Sequence, residues 1–501
     1  MASRWDECDP KETKREQIRQ LRRYLKEQVL PFSPFYRRLY LEKQVPSWDV
    51  LRDPSDLARF PFTTKNDLLP SPDGNSGPRD FILQPSAELI REALPLSVKL
   101  KYLARKLRRG QEGLQQELLR EYNPTQIFFT TGRSASSIPF FLTPYDQKLL
   151  RETGLRIVRT LGLKPKEDKV LSFFPYAPHL AFWQVAACAE AGGVMTLNTG
   201  GGRAMGGSRI LELMQRMNPT AIVGMPGYAY HLLRTAHSKG MKIDSIKRVA
   251  LGGEAVSPTL KRKIIDLLGD MGSEDVRVAS VFGFTEARQC WAECTGAENT
   301  GFHLSPDLSI MEIINPETGE QVPDGESGEL VYTTLAGRGS TLLRYRTGDL
   351  IEGGITWERC PGCGRRLPRM SSIVRRVSNV KNLELSKVKG TYVNFNTLFE
   401  VLEGEQGIEE WQIVISKADN DPFEVDELTL HVAVSDAGKI NSMHDRIQRR
   451  AKACAEIQFN SIEVHNLDEM LERVGMERET KEQRVIDNRP DSQPIPEEVR
   501  E

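Results

Sequence analysis

Between residues 125 and 355, short apolar runs alternate with helical segments, and this alternation restricts the fold more than any other feature. The apolar runs are KVLSFFP (169–175), GVMTLNT (193–199), TAIVGMP (220–226), RVALGGE (248–254) and RVASVFG (277–283). Segments with helical spacing, such as SRILELMQRMN and YAYHLLRTAHSKG, lie between them. Alternation at this spacing predicts an α/β fold in which helices pack on a parallel sheet. Ligands of such sheets bind at the carboxyl ends of the strands.

The pattern changes after residue 355. NTLFEVLEG and MHDRIQRRAKACAEI have helical periodicity, whereas WQIVISK, ELTLHVAVS and SIEVHNL favour strands. These segments predict a small α+β unit, and a chain of 501 residues is long enough for two or three domains. The final stretch, NRPDSQPIPEEVRE, is predicted to be a frayed tail.

Residues 71–122 differ in kind from their surroundings. They begin with proline and glycine and continue as a long basic helical segment. Its cations are Lys99, Lys101, Arg105, Lys106, Arg108 and Arg109. A solvated helix face explains them, and so does a patch for a negatively charged ligand or partner.

The composition excludes several classes of protein. Apolar residues make up 39% of the chain and charged residues 27%, and the formal net charge is −1. This balance gives no bulk attraction to nucleic acid or to an anionic membrane. The N-terminus has no apolar core of a signal peptide, and no apolar run is long enough to span a bilayer. We therefore expect a cytoplasmic protein with neither nucleic acid nor membrane as a partner.

One loop carries an unusual density of hydroxyl groups. FFTTGRSASSIPFFLT, residues 128–143, places Thr130, Thr131, Ser134 and Ser136 beside Gly132 and Arg133, between two runs that favour strands. Such a loop suits a polyanion such as a nucleotide phosphate, and a solvated serine-rich hairpin is the alternative. The chain has no G-x-x-x-x-G-K-[ST] loop, and GGGRAMGG fails the dinucleotide spacing because Met205 stands where glycine is needed.

Three short motifs follow in order: GGE (252–254), FGFTE (282–286) and YRTGDL (345–350). Each is weak alone, since exposed glutamate and Gly-Asp turns are common. Together, after a hydroxyl-rich loop, they resemble the adenylate-forming superfamily of acyl-CoA synthetases, adenylation domains and luciferase. Six further segments are typical of one family within it, the phenylacetate–CoA ligases, and narrow the resemblance to that family. They are PFYRRLY, SDLARFPFTTKNDL, GGEAVSPTLKRKI, GFHLSPDLSIMEIINPETGE, ESGELVYTTL and KEQRVIDNR.

The resemblance implies a large domain (1–373, with 71–122 inserted) and a small C-terminal α+β lid (374–501). By this resemblance, the loop containing Thr130–Ser136 would bind the phosphates of ATP, and Glu286 would bind Mg²⁺ and phosphate. The adenine pocket would be lined by Gly253, Glu254, Phe282, Gly283, Phe284 and Thr285. Asp349 would hold the ribose hydroxyls, Arg376 would mark the hinge, and Lys481 would be the catalytic lysine.

Two motifs depart from the family pattern. The loop has Ile138 before Pro139 where lysine is usual, and we expect Arg133 to supply that charge. Ser378 and Asn379 stand where two acidic residues usually follow the hinge arginine, and the segment up to Gly390 is longer.

A second constellation consists of Cys294, His303 and the pair Cys360-x-x-Cys363, with Pro361 and Gly362 in the turn. Cysteine and histidine are suitable Zn²⁺ ligands, and ordinary thiols are the alternative. Relatives in the resembled family place a structural Cys₃His zinc at matching positions, which favours the metal. Cys290, on a segment interpreted as a helix, is a competing ligand.

The predicted activity follows from the resemblance. ATP and a carboxylic acid, aromatic by resemblance, would give acyl-AMP and pyrophosphate, and the acyl group would pass to coenzyme A. Tyr176, His179, Pro226 and Tyr228 would line the acid pocket. A carrier-protein or amine acceptor remains an alternative, and so does a degenerate nucleotide-binding protein. The oligomeric state, including a homodimer, stays open.

Overall fold

A computed structural model describes residues 6–71, 77–130, 137–376, 380–385, 388–418, 425–435, 440–455, 457–479 and 482–489. Six predicted site residues lie outside the described residues, namely Thr131, Gly132, Arg133, Ser134, Ser136 and Lys481. Ser378, Asn379 and the tail from residue 490 also lie outside them.

The N-terminal helices form one wall of a large hydrophobic core. The helix α1 (Pro10–Tyr24) runs through a π-helical turn (Leu25–Val29) into α2 (Leu30–Phe32), and α3 (Pro34–Glu42) follows. Asp9 caps α1 by accepting a hydrogen bond from the Glu12 backbone N–H at 2.8 Å. The helical run that begins at Pro10 ends at Ser33, which caps α3.

The inserted segment forms α4 (Ala87–Glu92) and α5 (Leu96–Tyr122), and α5 contains a sharp reversal. Gly110 has φ +73° and ψ 175°, a conformation that only glycine adopts without strain. The two arms meet where Arg105 and Arg109 lie 3.8 and 3.5 Å from Glu117. The basic side chains of α5 are exposed, except that Lys99 is half-buried.

The predicted parallel sheet is confirmed. A hairpin of β1 (Gln126–Phe129) and β2 (Pro139–Leu142) flanks the hydroxyl-rich loop. The main sheet contains β3 (Lys169–Pro175), β4 (Met195–Gly200), β5 (Ala221–Gly224), β6 (Arg248–Gly252), β7 (Arg277–Phe284) and β8 (Gln289–Ala292), in the order β4-β3-β5-β6-β7-β8. Only β8 pairs antiparallel among these six strands.

Six helices connect or cover these strands. They are α6 (Pro144–Thr160), α7 (Leu180–Gly192), α8 (Gly201–Met205), α9 (Gly207–Met217), α10 (Pro226–Ser238) and α11 (Pro258–Asp270). Because α8, α10 and α11 each follow a parallel strand, their N-termini and the strand ends lie at one edge of the sheet.

Two smaller sheets follow. Strands β10 (Ser309–Ile314), β11 (Gly328–Thr334), β12 (Tyr345–Ile351) and β15 (Val374–Arg376) form an antiparallel sheet in that order. Strands β9 (Phe302–His303), β13 (Ile355–Thr356) and β14 (Arg369–Met370) form another, in the order β13-β14-β9. The register of β12 with β15 places Asp349 directly opposite Arg376.

The C-terminal part is α+β, as predicted. A hairpin of β16 (Val380–Leu385) and β17 (Val388–Asn394) leads into α12 (Phe395–Glu403), β18 (Ile408–Lys417), β19 (Asp426–Val434), α13 (Ile440–Ala455), β20 (Ser461–His465), α14 (Leu467–Arg473) and β21 (Val485–Asp487). Its sheet has the order β20-β19-β18-β21. One hydrophobic cluster containing Phe395, Trp411 and Ile447 fills its interior.

The C-terminal part contacts α10 and α11 of the large part. Arg234 donates to the Glu409 carbonyl at 2.8 Å, and Ser257 hydrogen-bonds Glu403. Met470 lies in the same hydrophobic cluster as Leu232. Among the helices that the structure describes, we find none with the length and apolar content needed to cross a membrane.

Candidate active site

The carboxyl edge of the main sheet brings together motifs that are far apart in the sequence. Gly252 ends β6, Phe284 ends β7, and the hydroxyl-rich loop leaves β1 at Phe129. Two side chains converge on the Phe129 carbonyl: His179 Nδ1 at 3.0 Å and the Thr285 hydroxyl at 3.4 Å. The base of the predicted phosphate loop and the FGFTE motif are therefore adjacent.

Thr130 is the one predicted phosphate-loop residue that the structure describes. Its hydroxyl accepts a hydrogen bond from the Ile138 backbone N–H at 3.1 Å, and its own N–H donates to the Ile138 carbonyl at the same distance. These two bonds close the loop at its neck. The described residues on the two sides of the loop are therefore hydrogen-bonded to each other.

The glycines of the predicted adenine motifs allow close approach of backbone. Gly253 has φ +88° and is exposed, and a side chain on Gly252 would lie 2.7 Å from the Val281 carbonyl oxygen. Glu254 is half-buried beside them. This bare strand end can accept a flat ring against the backbone.

The two phenylalanines of FGFTE, which the resemblance places in the adenine pocket, pack on aromatic side chains of the core. The Phe284 side chain is buried 5.8 Å from Trp291 and 5.5 Å from Tyr332, between ring centroids. Phe282 packs on the same Trp291 at 6.2 Å. Both rings therefore pack against Trp291, which lies on the neighbouring strand β8. Gly283 lies between them in the sequence and is exposed, so its backbone is accessible at the edge of the sheet.

Four polar side chains form a cluster beside the loop. Tyr345 donates to Glu286 at 3.2 Å, and Arg376 donates from Nε to Asp349 Oδ1 at 2.9 Å. The second Asp349 oxygen is buried and has no hydrogen-bond partner among the described residues. An acceptor held in this way fits a hydroxyl donor from a ligand.

The electrostatics of the cluster follow from burial. Burial raises the pKa of Asp349 above its usual value, although Arg376 opposes the shift and Glu286 adds to it. The Asp349 carboxylate in turn raises the pKa of Arg376. Burial also raises the pKa of Tyr345, so its hydroxyl stays protonated as a donor.

The described residues that flank Lys481 reach the same edge. The Glu482 side chain packs so closely on Gly227 that a Cβ there would collide with its carboxylate. Burial raises the pKa of Glu482 to about 7, Arg484 opposes this shift, and the charge of Glu254 adds to it. Glu477, earlier in the same segment, accepts from the Tyr228 hydroxyl at 3.4 Å.

The four predicted acid-pocket residues lie along this edge in different environments. Tyr176 is 57% exposed and donates to the Asn198 carbonyl at 2.7 Å. His179 precedes α7 and Pro226 begins α10. Tyr228 is buried against Phe173 with a centroid distance of 6.3 Å, so only its hydroxyl reaches a polar group.

The structure brings the four predicted zinc ligands together. The Cys294 and Cys360 Sγ atoms are 3.6 Å apart, and Cys363 Sγ is 3.3 Å from His303 Nε2. All four ligand atoms lie within 4.8 Å of one another. Soft thiolates and an imidazole at this separation form a donor set that fits tetrahedral Zn²⁺.

Two glycines make the cluster sterically feasible. A side chain on Gly296 would collide with the Gly362 carbonyl, and one on Gly362 would lie 2.8 Å from Cys294 Sγ.

A hydrogen bond from the Cys363 thiol lowers the pKa of Cys294 to about 4. Burial lowers the pKa of His303, which favours the neutral, metal-binding imidazole.

Cys290 is not part of this cluster, and its predicted helix is wrong. It lies on β8, where its backbone N–H donates to Gln184 at 3.2 Å. Burial raises the pKa of its thiol. Extended chain rises about 3.3 Å per residue, against about 1.5 Å in a helix, so Cys290 and Cys294 lie about twice as far apart as they would on one helical turn.

Two residues at this edge were missed by the sequence analysis. Tyr345 opens the YRTGDL motif, but its hydroxyl contact with Glu286 depends on a pairing between distant strands. Glu482 directly follows Lys481 and reaches Gly227 only through the packing of the C-terminal part. No local pattern in either segment predicts these contacts.

The fold and the arrangement of the site resemble those of the adenylate-forming enzymes. The family model of the AMP-binding enzymes matches residues 148–337, which include the main sheet and the FGFTE motif. Among solved structures, 2-hydroxyisobutyryl-CoA ligase in complex with R3-HIB-AMP superposes with a TM-score of 0.75 at 20% identity, over 97% of this chain and 91% of that chain. The predicted fold class is confirmed.

Two relatives are more specific. The chain is 26% identical to the phenylacetate-coenzyme A ligase of Thermus thermophilus, over 84% of this chain and 80% of that protein. It is 26% identical to the enzyme of the same name from Aromatoleum evansii, over 91% and 90%. The predicted resemblance to phenylacetate–CoA ligases is confirmed.

Proposed function

We propose that the protein is an ATP-dependent, AMP-forming acyl-CoA ligase that activates a carboxylic acid and transfers the acyl group to coenzyme A. The observation that carries the proposal is the convergence of Glu286, Asp349 and Arg376 on the edge where the hydroxyl-rich loop begins. The similarity to phenylacetate-coenzyme A ligases along most of the chain supports the same reaction.

In the first half-reaction, a carboxylate oxygen attacks the α-phosphorus of ATP, and the bond from that phosphorus to pyrophosphate breaks. Hydroxyl and N–H groups of the loop, including Thr130, Thr131, Gly132, Ser134 and Ser136, would hold the departing phosphates, with Arg133 as their cation. These roles rest on the fixed neck of the loop at Thr130.

Asp349 would accept the ribose hydroxyls through its unpaired oxygen while Arg376 holds the other. The bare edge at Gly253, Glu254, Gly283 and Thr285 would receive adenine. Glu286 would hold Mg²⁺, which when bound offsets phosphate charge. The Glu286 carboxylate suits a hard cation, and Tyr345 orients it.

In the second half-reaction, the thiol sulfur attacks the acyl carbonyl carbon and AMP leaves. Lys481 would serve the first half-reaction only, carried by a C-terminal lid that we place at residues 374–501. Tyr176, His179, Pro226 and Tyr228 line the edge and suit an aromatic acid, since a ring can pack against Tyr176.

Cys294, His303, Cys360 and Cys363 would hold a structural Zn²⁺. Four protein ligands leave no open coordination position, so the ion would hold the turn after β8 to the turn before β14 without taking part in the reaction.

A pyrophosphate-release assay over a panel of aryl and alkyl acids, with and without coenzyme A, tests the function. We expect release that depends on one class of acid, and acyl-CoA formation only when the thiol is present. Pyrophosphate release followed by acylation of a carrier protein or an amine, with none of coenzyme A, would assign a different acceptor. Nucleotide binding without any release across the panel would contradict an enzyme.

A further inference from the structure

A second group of ligand atoms lies on the C-terminal sheet, away from the edge described above. It consists of His431 on β19 with Glu463 and His465 on β20. The two strands are parallel neighbours, and their register pairs His431 with Glu463 and Ala433 with His465. Because side chains alternate along a strand, all three point to one face of the sheet.

The other face is fully committed to the hydrophobic core. Leu430 and Val432, which flank His431, are buried in the cluster that fills the interior of the C-terminal part. His431 is 7% exposed on the opposite face, whereas the His465 and Glu463 side chains are 21% and 53% exposed. The group is therefore anchored at one end and open to solvent at the other.

The donor atoms have the spacing of a metal site. His431 Nδ1 is 3.0 Å from His465 Nε2 and 3.2 Å from Glu463 Oε2, and the latter two atoms are 3.8 Å apart. Ligands about 2.0–2.1 Å from a tetrahedral Zn²⁺ lie about 3.3 Å from each other. One proton on His431 Nδ1 can align with only one of its two neighbours, whereas a cation at the centre satisfies all three atoms.

A further carboxylate supports the orientation of His465. Glu469 Oε2 is 3.7 Å from His465 Nδ1, and Glu469 is itself held by a capping box with Asn466 at the start of α14. This distance is too long for a direct hydrogen bond, but the negative charge of Glu469 behind the imidazole favours a cation bound at Nε2. The positive charge of Arg473, near His431, disfavours a bound cation. The negative charges of Glu463 beside His431 and of Glu469 beside His465 counter this effect.

We propose that His431, Glu463 and His465 bind a second Zn²⁺, distinct from that of the cysteine cluster. Two imidazole nitrogens and one carboxylate oxygen favour a borderline transition metal over Mg²⁺ or Ca²⁺. Three protein ligands leave a fourth position for water on the exposed side. The ion would tie the edge strand β20 to β19 at the point where α14 begins.

Cobalt titration of the full chain tests the proposal, because a thiolate ligand adds a near-ultraviolet charge-transfer band that a His₂Glu site lacks. We expect one thiolate-free Co²⁺ per chain, displaced by Zn²⁺. His465→Ala and Glu463→Gln should weaken this binding by about 100-fold or more, and Glu469→Gln by about 10–100-fold. The thiolate band should stay unchanged in all three variants.

His444→Ala is the matched control, since His444 is exposed on α13 and belongs to neither group of candidate metal ligands among the described residues. It should bind both Co²⁺ ions as the parent does. Far-ultraviolet circular dichroism of the metal-free variants checks their folding, and the isosteric change at the exposed Glu463 gives the test if His465→Ala misfolds. Undiminished thiolate-free binding in both His465→Ala and Glu463→Gln, or none in the parent, overturns the proposal.

Discussion

Asp349 is a residue whose burial lowers the stability of the folded protein while leaving an acceptor oxygen available to bind a ligand. It is 1% exposed, one oxygen is paired with Arg376 and the other has no hydrogen-bond partner among the described residues. Because burial raises its pKa, the ionised carboxylate that is needed to accept hydroxyl groups is disfavoured in the folded protein.

We predict that Asp349→Asn weakens nucleotide binding by about 1–3 kcal/mol, because one carboxylate oxygen becomes an NH₂ donor that faces either Arg376 or the ribose hydroxyls. Calorimetric titration of the metal-supplemented protein with ATP measures this. Asp270→Asn, an exposed change on α11, should bind ATP as the parent does. Equal ATP affinities of parent and Asp349→Asn would contradict the ribose assignment.

The same substitution should raise the melting temperature of the ligand-free protein at neutral pH. A carboxyl whose folded pKa is raised contributes stability below its unfolded pKa, and this contribution is lost as the pH rises through the folded pKa. The difference between Asn and Asp should therefore shrink in mildly acidic buffer. A melting temperature that falls at neutral pH would show that the pair with Arg376 outweighs burial.

At the scale of elements, the cluster of three cysteines and His303 for which we propose zinc joins the turn after β8 to the turn before β14. We predict that Cys360→Ser/Cys363→Ser loses one zinc per chain and lowers the melting temperature, since two of four ligands are removed. Elemental analysis and thermal melts measure both. Cys454→Ser is the control, because Cys454 is exposed outside the cluster. Unchanged zinc in the double variant would refute the assignment.

The basic residues of the inserted helix α5 fall into two groups, those near a carboxylate and those with no ion pair among the described residues, and the second group can be tested separately. Arg105 and Arg109 are near Glu117, whereas Lys101 and Arg108 are exposed with no ion pair among the described residues. We predict that Lys101→Glu/Arg108→Glu leaves acyl-AMP formation intact and raises the KM for an anionic acceptor such as coenzyme A. Half-reaction assays separate the two steps. An equal loss of both would indicate a role in folding.

Helices and strands with a clear hydrophobic pattern could be predicted from the sequence, whereas contacts between residues far apart in the sequence could not. KVLSFFP corresponds to β3 residue for residue, because a buried parallel strand is a continuous apolar run. The reversal at Gly110 was not predicted, since a single glycine within a helical period is usually tolerated. Ordered motifs located Glu286 and Asp349, but Tyr345 and Glu482 reach the site only through tertiary contacts.

At the scale of the whole molecule, the C-terminal part contacts α10 and α11 through polar bonds and a shared hydrophobic cluster. The polar bonds include those of Arg234 with Glu409, Ser257 with Glu403 and Tyr228 with Glu477. Contacts of this kind can be exchanged when a lid rotates. The position of Glu482 against Gly227 brings the segment that carries Lys481 to the edge of the main sheet.

The sharpest prediction concerns Lys481 itself. In the proposed mechanism, a cation beside the carboxylate and α-phosphate stabilises the charge of the first transition state, and the lid turns away before the thiol enters. Lys481→Ala should therefore lower acyl-AMP formation by roughly 100-fold or more, the effect of losing one preorganised charge-stabilising group. Given pre-formed acyl-AMP, the same variant should transfer the acyl group to coenzyme A at nearly the parent rate.

Rapid-quench measurements of the two half-reactions make this distinction, with Lys452→Ala as the control because Lys452 is an exposed lysine of the same part. That control should leave both rates unchanged. Unaltered pyrophosphate release in Lys481→Ala would make Lys481 an ordinary solvated lysine. A parallel loss of both half-reactions would mean that Lys481 stabilises the C-terminal part, since a charge needed only for adenylation cannot slow the attack of the thiol.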